Sequence, residues 1–260
     1  VTFTAPASDG GSPITGYTVT SSPGGLTGTG SASPVTVTGL TNGTAYTFTV
    51  VATNINGNSA SSAASNSVIP GTVTNPTTGK IWMDRNLGAD QVATSSTDAA
   101  SYGDLYQWGR GADGHQIRTS GTTTTLSSSD TPGHGNFILV SAGPYDWRSP
   151  QNDNLWQGVS GTNNPCPGGY RLPTETEWNA ERLSWSSNNT AGAFASPLKL
   201  TVAGARSVLD GSFSNVGSHG LYWSSTVGST GSLYLYFSST SAAMYNSSRA
   251  NGYSVRCLKD

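Results

Sequence analysis

Between residues 211 and 248 the chain carries no Lys, Arg, Asp or Glu, yet Phe213, Tyr222, Trp223, Tyr234, Tyr236, Phe237 and Tyr245 stand there among many Ser and Gly. An uncharged, ring-rich stretch has two stable fates in water: burial in a core, or presentation to a partner. Its alternation permits both. In a strand Leu235 and Phe237 point to one face, while Tyr234, Tyr236 and Ser238 point to the other. Tyr gives a large contact area for two rotatable angles, and Ser and Gly adapt their hydrogen bonding to what lies opposite. The segment is predicted to be a sheet with one face in the core and the other a recognition surface.

Residues 1–70 follow a simpler rule. Val1-Thr2-Phe3-Thr4, Tyr17-Thr18-Val19-Thr20, Val35-Thr36-Val37 and Tyr46-Thr47-Phe48-Thr49-Val50 alternate apolar and polar at period two, the pattern of half-buried strands. Asp9-Gly10-Gly11-Ser12-Pro13, Pro23-Gly24-Gly25 and Asn42-Gly43 supply turns between them. Short strands at this spacing predict an all-β, immunoglobulin-like sandwich. The runs "FTAPASDGGSPITGYTV" and "GLTNGTAYTFTVVATNINGNS" resemble a fibronectin type III domain. The resemblance implies that Leu40 and Tyr46 form the family's tyrosine corner. It also implies that the family's first strand is missing before Val1. The chain opens at Val1 inside an expected strand, with no Met and no signal peptide, and is expected to be a piece of something longer.

Ile69-Pro70-Gly71 through Thr77-Thr78-Gly79 is rich in Pro, Gly and Thr, which predicts a linker over residues 71–78. From Lys80 the alternation ends and Trp and Tyr become frequent. A helix is predicted over residues 101–108, with Tyr102, Leu105 and Tyr106 near one face. Another is predicted after Pro173, where Thr174 and Glu177 have the spacing of a capping box and Trp178 and Leu183 supply apolar contacts. Residues 198–200, 208–209, 222–223, 233–237 and 254–258 read as strands. The chain is therefore expected to be multi-domain, with the sandwich at residues 1–70 and an α+β domain at residues 79–260.

Composition narrows the function. Charged residues make up 10% of the chain, the net charge is −2 and the pI is about 5.9. That leaves no basic patch, so nucleic acid is excluded as a partner. No apolar run approaches the roughly 18 residues a membrane span needs, so no direct membrane insertion is expected. A low-charge, Thr/Ser/Gly-rich chain with aromatic anchors fits an extracellular module. Cys166 and Cys257 form no CxxC and are a disulfide, a redox couple or two separate thiols. A disulfide is the expected form, worth on the order of 4–5 kcal/mol in the chain-entropy model. His115 and His134 lie in Gly-rich loops without metal-ligand spacing, so neither a metal nor another cofactor is expected. Asp84 with Arg85, Asp104 with Arg110, and Arg171 with Glu175 are read as ion pairs that organise loops.

Four motifs, "GKIWMDRNLGA", "YGDLYQWGR", "CPGGYRLPTETEW" and "YWSST" with "GYSVRCLKD", run in this order through residues 79–260. Together they resemble the bacterial major-paralogous-domain (FISUMP) family, and the resemblance implies a C-type-lectin-like fold. "RLPTETEW" alone is also similar to the formylglycine-generating-enzyme group, which implies a cysteine oxidase as the enzyme alternative. The continuation "NAERLSW" departs from that group's pattern, and a disulfide would remove the thiols such a copper site needs. The Glu-Pro-Asn, Gln-Pro-Asn and Trp-Asn-Asp motifs of calcium-dependent sugar binding are absent from the sequence. The chain is accordingly expected not to be an enzyme.

The tail resembles the variable segment of proteins diversified by retroelements, in which asparagine codons change only at adenines. Such changes cannot produce Met, Trp, Lys, Gln or Glu. The resemblance implies a variable segment at about residues 211–260, with Tyr222, Trp223, Ser224, Ser225, Leu235, Phe237, Met244 and 249–253 as fixed scaffold. The variable, ligand-binding positions are then His219, Leu221, Tyr234, Tyr236, Ser238, Ser241, Ala243, Tyr245, Ser247 and Ser248. Every one is a residue such a codon can reach. The expected function is binding of a protein or cell-surface ligand from a cell or virion surface. The alternative is a fixed adhesin of the same fold.

Overall fold

The computed structural model describes residues 1–41, 44–68 and 70–260, which divide into two compact units, Val1–Gly71 and Thr72–Asp260. The Asn42-Gly43 turn and Ile69 lie outside the described residues. The chain is mostly β, with 7% of residues helical.

In the first unit, β1 (Gly16–Ser22), β2 (Thr27–Gly30), β3 (Thr47–Asn54) and β4 (Gly57–Asn58) form an antiparallel sheet ordered β2-β1-β3-β4. Tyr17 and Val19 of β1 and Phe48 and Ala52 of β3 turn inward, as period-two alternation requires, and meet Val35 and Tyr46 in one core. Val1 and Val35 exchange backbone hydrogen bonds at 2.8 and 3.0 Å, so the segments read as strands there run side by side without regular strand geometry. The Thr41 amide donates to the Tyr46 hydroxyl at 3.1 Å, and Leu40 packs on the same core.

The second unit is built from short strands. They are β5 (Thr72–Thr74), β6 (Ile81–Met83), β7 (Tyr106–Gln107), β8 (Thr122–Thr123), β9 (Phe137–Ile138), β10 (Tyr170–Arg171), β11 (Ala205–Arg206) and β12 (Phe213–Ser214). β13 (Gly220–Val227), β14 (Ser232–Phe237), β15 (Ala242–Ser247), β16 (Gly252–Tyr253) and β17 (Leu258–Lys259) follow. They join as β10-β17-β6-β5, β12-β11-β16-β7, β13-β14-β15 and the pair β8-β9. β5 lies inside the stretch expected to be linker; its pairing with β6 makes it part of the second unit.

Among the described residues there are two α-helices, α1 (Glu175–Leu183) and α2 (Thr190–Ala195), and a short 3-10 turn at Ala99–Ser101. Thr174 and Glu177 close the capping box at the start of α1, which satisfies amide groups that have no partner inside the helix. Trp178 is buried beneath it, whereas Leu183 is exposed rather than packed. Arg171 pairs with Glu177 at 2.8 Å, not with Glu175, because Glu177 already points back toward the cap. Arg110 likewise pairs with Asp113 at 2.6 Å rather than with Asp104. Asp84 and Arg85 pair as expected, at 2.8 Å.

The helix predicted over residues 101–108 does not form. Gly103 has φ +66°, and a Cβ there would lie 2.3 Å from the Leu87 carbonyl oxygen. A left-handed residue held against another backbone segment stops a right-handed helix. Lys199, at φ 48°, breaks the strand expected at residues 198–200 in the same way, while Leu198 and Leu200 are still fully buried. Residues 208–209 form no strand, and of residues 254–258 only Leu258 belongs to one.

Two aromatic cores sandwich the sheet β13-β14-β15. On one side Trp82, Trp178, Trp185, Tyr222, Leu235 and Phe237 pack together; on the other are Tyr106, Trp108, Trp156, Leu221, Trp223 and Tyr253. Buried indole N–H groups need acceptors. Trp108 donates to the Ser224 carbonyl, Trp147 to Trp108, Trp178 to Trp223 and Trp223 to Tyr106, at 2.7–3.0 Å. The indoles thus tie distant loops to the central sheet.

Candidate functional site

The sheet β13-β14-β15 sorts its side chains by register. Tyr222 lies opposite Leu235 and Leu235 opposite Met244, and all three face the α1 side. Gly220 stands opposite Phe237, where a Cβ would lie 2.0 Å from the ring; glycine lets the ring lie across the strand and stack on Tyr222. On the reverse face Trp223 is opposite Tyr234 and Tyr234 opposite Tyr245, while Leu221 is opposite Tyr236 and Tyr236 opposite Ala243.

These rings form a connected ladder. The His219 ring lies 5.4 Å from Tyr236, Tyr236 lies 5.7 Å from Tyr245, and Tyr245 lies 6.3 Å from Tyr234. Tyr234 then meets Tyr253 at 4.8 Å, and Tyr253 meets Trp223 at 4.4 Å. Burial grades along it: Trp223 is fully buried, Tyr234 and Tyr236 are partly buried, and Tyr245 is 50% exposed. Burial, reinforced by the neighbouring phenols, raises the Tyr234 hydroxyl pKa above its ordinary value.

The expected site residues divide accordingly. His219, Tyr234, Tyr236, Ala243 and Tyr245 come together on this face. Ser241 is exposed in the turn after β14, and Ser248 is partly exposed beyond β15. The Ser247 hydroxyl pairs with that of Tyr253 at 2.8 Å, holding the ladder's inner end. Two residues depart from expectation. Leu221 is buried in the core because Tyr253 and Ser254 cover β13 on that side. Ser238 is also buried: its hydroxyl accepts from the Thr240 amide at 3.3 Å and its carbonyl from the Thr190 amide at 2.8 Å, so it shapes a turn. Leu221 is closed off by that packing, whereas Ser238 still lines a groove beside His219 and Tyr236.

Beside His219 and Tyr236 lies a groove of about 440 Å³ whose polar lining includes Ser96, Thr97 and Thr190. Sequence reasoning missed these residues, which lie far from the tail and carry no motif. Tyr253, expected to be fixed scaffold, also joins the ladder, which its "GY" context does not signal.

The histidines are all engaged. Nε2 of buried His115 accepts from the Gln107 amide at 3.0 Å, so Nδ1 carries the proton it shares with Asp113 at 2.6 Å. Nδ1 of His134 accepts from the Asn136 amide, and Nδ1 of His219 contacts the Ser218 hydroxyl. Among the described residues no three His, Cys, Asp or Glu side chains converge on a metal position. Among the same residues no helix is long and apolar enough to cross a membrane. Cys166 and Cys257 are joined as a disulfide with a Cα–Cα distance of 5.8 Å, fastening the 164–170 loop to the C-terminal segment.

The His115–Asp113 pair sets a pH response. Burial lowers the His115 pKa from 6.5 to about 4, even though the Asp113 hydrogen bond pulls it up. Burial alone would raise Asp113, but its bonds to His115 and Arg110 hold it at about 2. As pH falls from 6.5 toward 4, unfolded His115 takes a proton that folded His115 refuses, so stability is lost through that window. Chemical denaturation at pH 7 and pH 4.5 is expected to differ by about 2–3 kcal/mol from this group. His115→Gln should flatten that interval; an unchanged slope would show that His115 does not cause it.

Residues 1–68 match the family model of the fibronectin type III domain, and the first unit is such a domain. No curated protein and no solved structure matches the chain.

Proposed function

We propose that the second unit is a C-type-lectin-like domain of the FISUMP type, and that the reverse face of β13-β14-β15 is a diversified ligand-binding surface. The fibronectin type III domain serves as its spacer on a cell or virion surface, the usual setting of such modules. The action is non-covalent recognition of a protein or cell-surface ligand, not catalysis.

One observation carries this reading. His219, Tyr234, Tyr236, Ala243 and Tyr245, all reachable from asparagine codons, share one face, while Tyr222, Leu235, Phe237 and Met244 pack on the opposite side. Residues on the first face can change while the core behind them stays constant. The absence of formal charge from the whole segment suits a surface whose specificity is rewritten by shape and hydroxyl groups.

A fixed adhesin is the second reading, favoured by the tilted packing of Tyr234 between Tyr253 and Tyr245, which a frequently replaced residue would not maintain. Sequencing this coding region across the source population separates the two. Diversification predicts changes traceable to adenines at residues 219, 234, 236, 243 and 245, with Leu221 and Ser238 constant. A uniform tail, or changes spread evenly along the chain, would leave the fixed adhesin standing.

A further inference from the structure

In the first unit, side chains rather than a regular strand close the outer edge of β3. At the β3-β4 hairpin the pairing is regular, with Asn54 opposite Gly57 and Thr53 opposite Asn58. Beyond it the chain returns along β3 as an irregular strap, residues 59–68. The strap's amides still donate to β3: Ser59 to the Ala52 carbonyl, Ser62 to Val50 and Ser65 to Phe48, at 2.8–2.9 Å. At its end Val68 and Tyr46 exchange both backbone bonds at 2.8 Å. Three residues of strap thus accompany every two of β3, one extra at each step, which is a β-bulge repeated along the edge.

With an extra residue at each step, the carbonyls of the strap serines do not meet β3's amides, which need another acceptor. Serine hydroxyls supply it. Ser65 accepts from the Phe48 amide, Ser62 from Val50 and Ser59 from Ala52, each at 3.0 Å. Each hydroxyl then donates its own proton to the next carbonyl along the strap, of Asn66, Ala63 and Ala60, at 2.7–2.8 Å. A hydroxyl has one proton to give and two lone pairs, so that bond leaves the lone pairs for β3. The serines recur at every third position, and Ala60, Ser61, Ala63 and Ala64 between them are small and exposed. Among the described residues, none of 59–67 belongs to the unit's core, so apolar packing does not hold the strap down.

We infer that Ser59, Ser62 and Ser65 are three separate latches that hold this strap over β3 and keep the edge from pairing with another copy of the chain. β3 reads Thr-Phe-Thr-Val-Val-Ala-Thr-Asn, with no charge and no proline, and such an edge left open is a template for a further strand. The strap is a poor template in its turn. Its bulged spacing matches no regular strand, and its Ala60, Ala63 and Asn66 carbonyls are already engaged. The device belongs to the fibronectin type III domain and is independent of what the second unit binds.

Amide hydrogen exchange and sedimentation on the intact chain provide the test. Ser62→Ala is expected to speed exchange at Val50 about tenfold, through loss of its one acceptor, while Phe48 and Ala52 keep their rates. Thr49 and Val51 face β1 by alternation and serve as internal controls. Ser62→Thr keeps a hydroxyl and should retain the slow rate at Val50. Replacing all three serines by alanine should speed exchange at all three amides and make the chain self-associate more strongly than its parent. Should that variant not fold, the Ser59→Ala/Ser62→Ala pair gives the same readouts at Ala52 and Val50. An unchanged rate at Val50 in Ser62→Ala would overturn the latch. Equal acceleration at Phe48, Val50 and Ala52 from that single change would show one cooperative strap and overturn the separate latches. A multiple variant that exchanges fast yet sediments like the parent chain would overturn the guarding role.

Discussion

Replacing Cys166 and Cys257 together by alanine is expected to lower the unfolding free energy of the second unit by about 4–5 kcal/mol. The bond joins residues separated by 91 positions, so the unfolded chain loses a large closed loop when the bond is absent. A domain is commonly stable by only about 5–15 kcal/mol, so this is a major fraction of the total. Cys257 is fully buried beside Tyr106 and Trp108, whereas Cys166 is only partly buried. The alanine pair therefore also loses some packing, which acts in the same direction. Urea denaturation followed by circular dichroism gives the answer; a midpoint unmoved by the double substitution would show that the loop is already constrained without the bond.

Tyr236→Ala combined with Tyr245→Ala is expected to weaken partner binding by about 100-fold or more, with little change in thermal unfolding. Interfaces concentrate their energy in a few aromatic side chains, and these two lie at the outer end of the ladder. Tyr234→Ala is a different experiment. Its ring packs against Tyr253 and Trp223, so its removal also costs stability, about 2 kcal/mol for a half-buried ring. Calorimetry on the variants, together with interferometry against a partner recovered by cross-linking to the intact chain, separates the two effects. Full binding by the Tyr236/Tyr245 variant would remove this face from recognition.

What was legible in the sequence was chiefly local. Thr174 and Glu177 act within one helical turn, so their capping box could be read from spacing alone. The alternation of Leu235 and Phe237 with Tyr234 and Tyr236 belongs to a single strand and needs no distant partner. What was not legible depends on contacts between distant segments. Leu221 has the parity of an outward residue, yet the later segment at Tyr253 and Ser254 closes over it. The helix expected around Leu105 and Tyr106 fails because the Leu87 carbonyl lies against Gly103. Ser238 differs from the other serines of the tail only through its bonds to Thr190 and Thr240.

The placement of the indoles has a practical consequence. All seven tryptophans of the chain, from Trp82 to Trp223, lie in the second unit, and the fibronectin type III domain contains none. Most are fully buried, and several are held by hydrogen bonds to backbone carbonyls. Fluorescence excited near the red edge of protein absorption therefore reports one unit and is silent about the other. The intact chain carries its own optical label, and loss of order in the second unit can be followed without separating it from its neighbour.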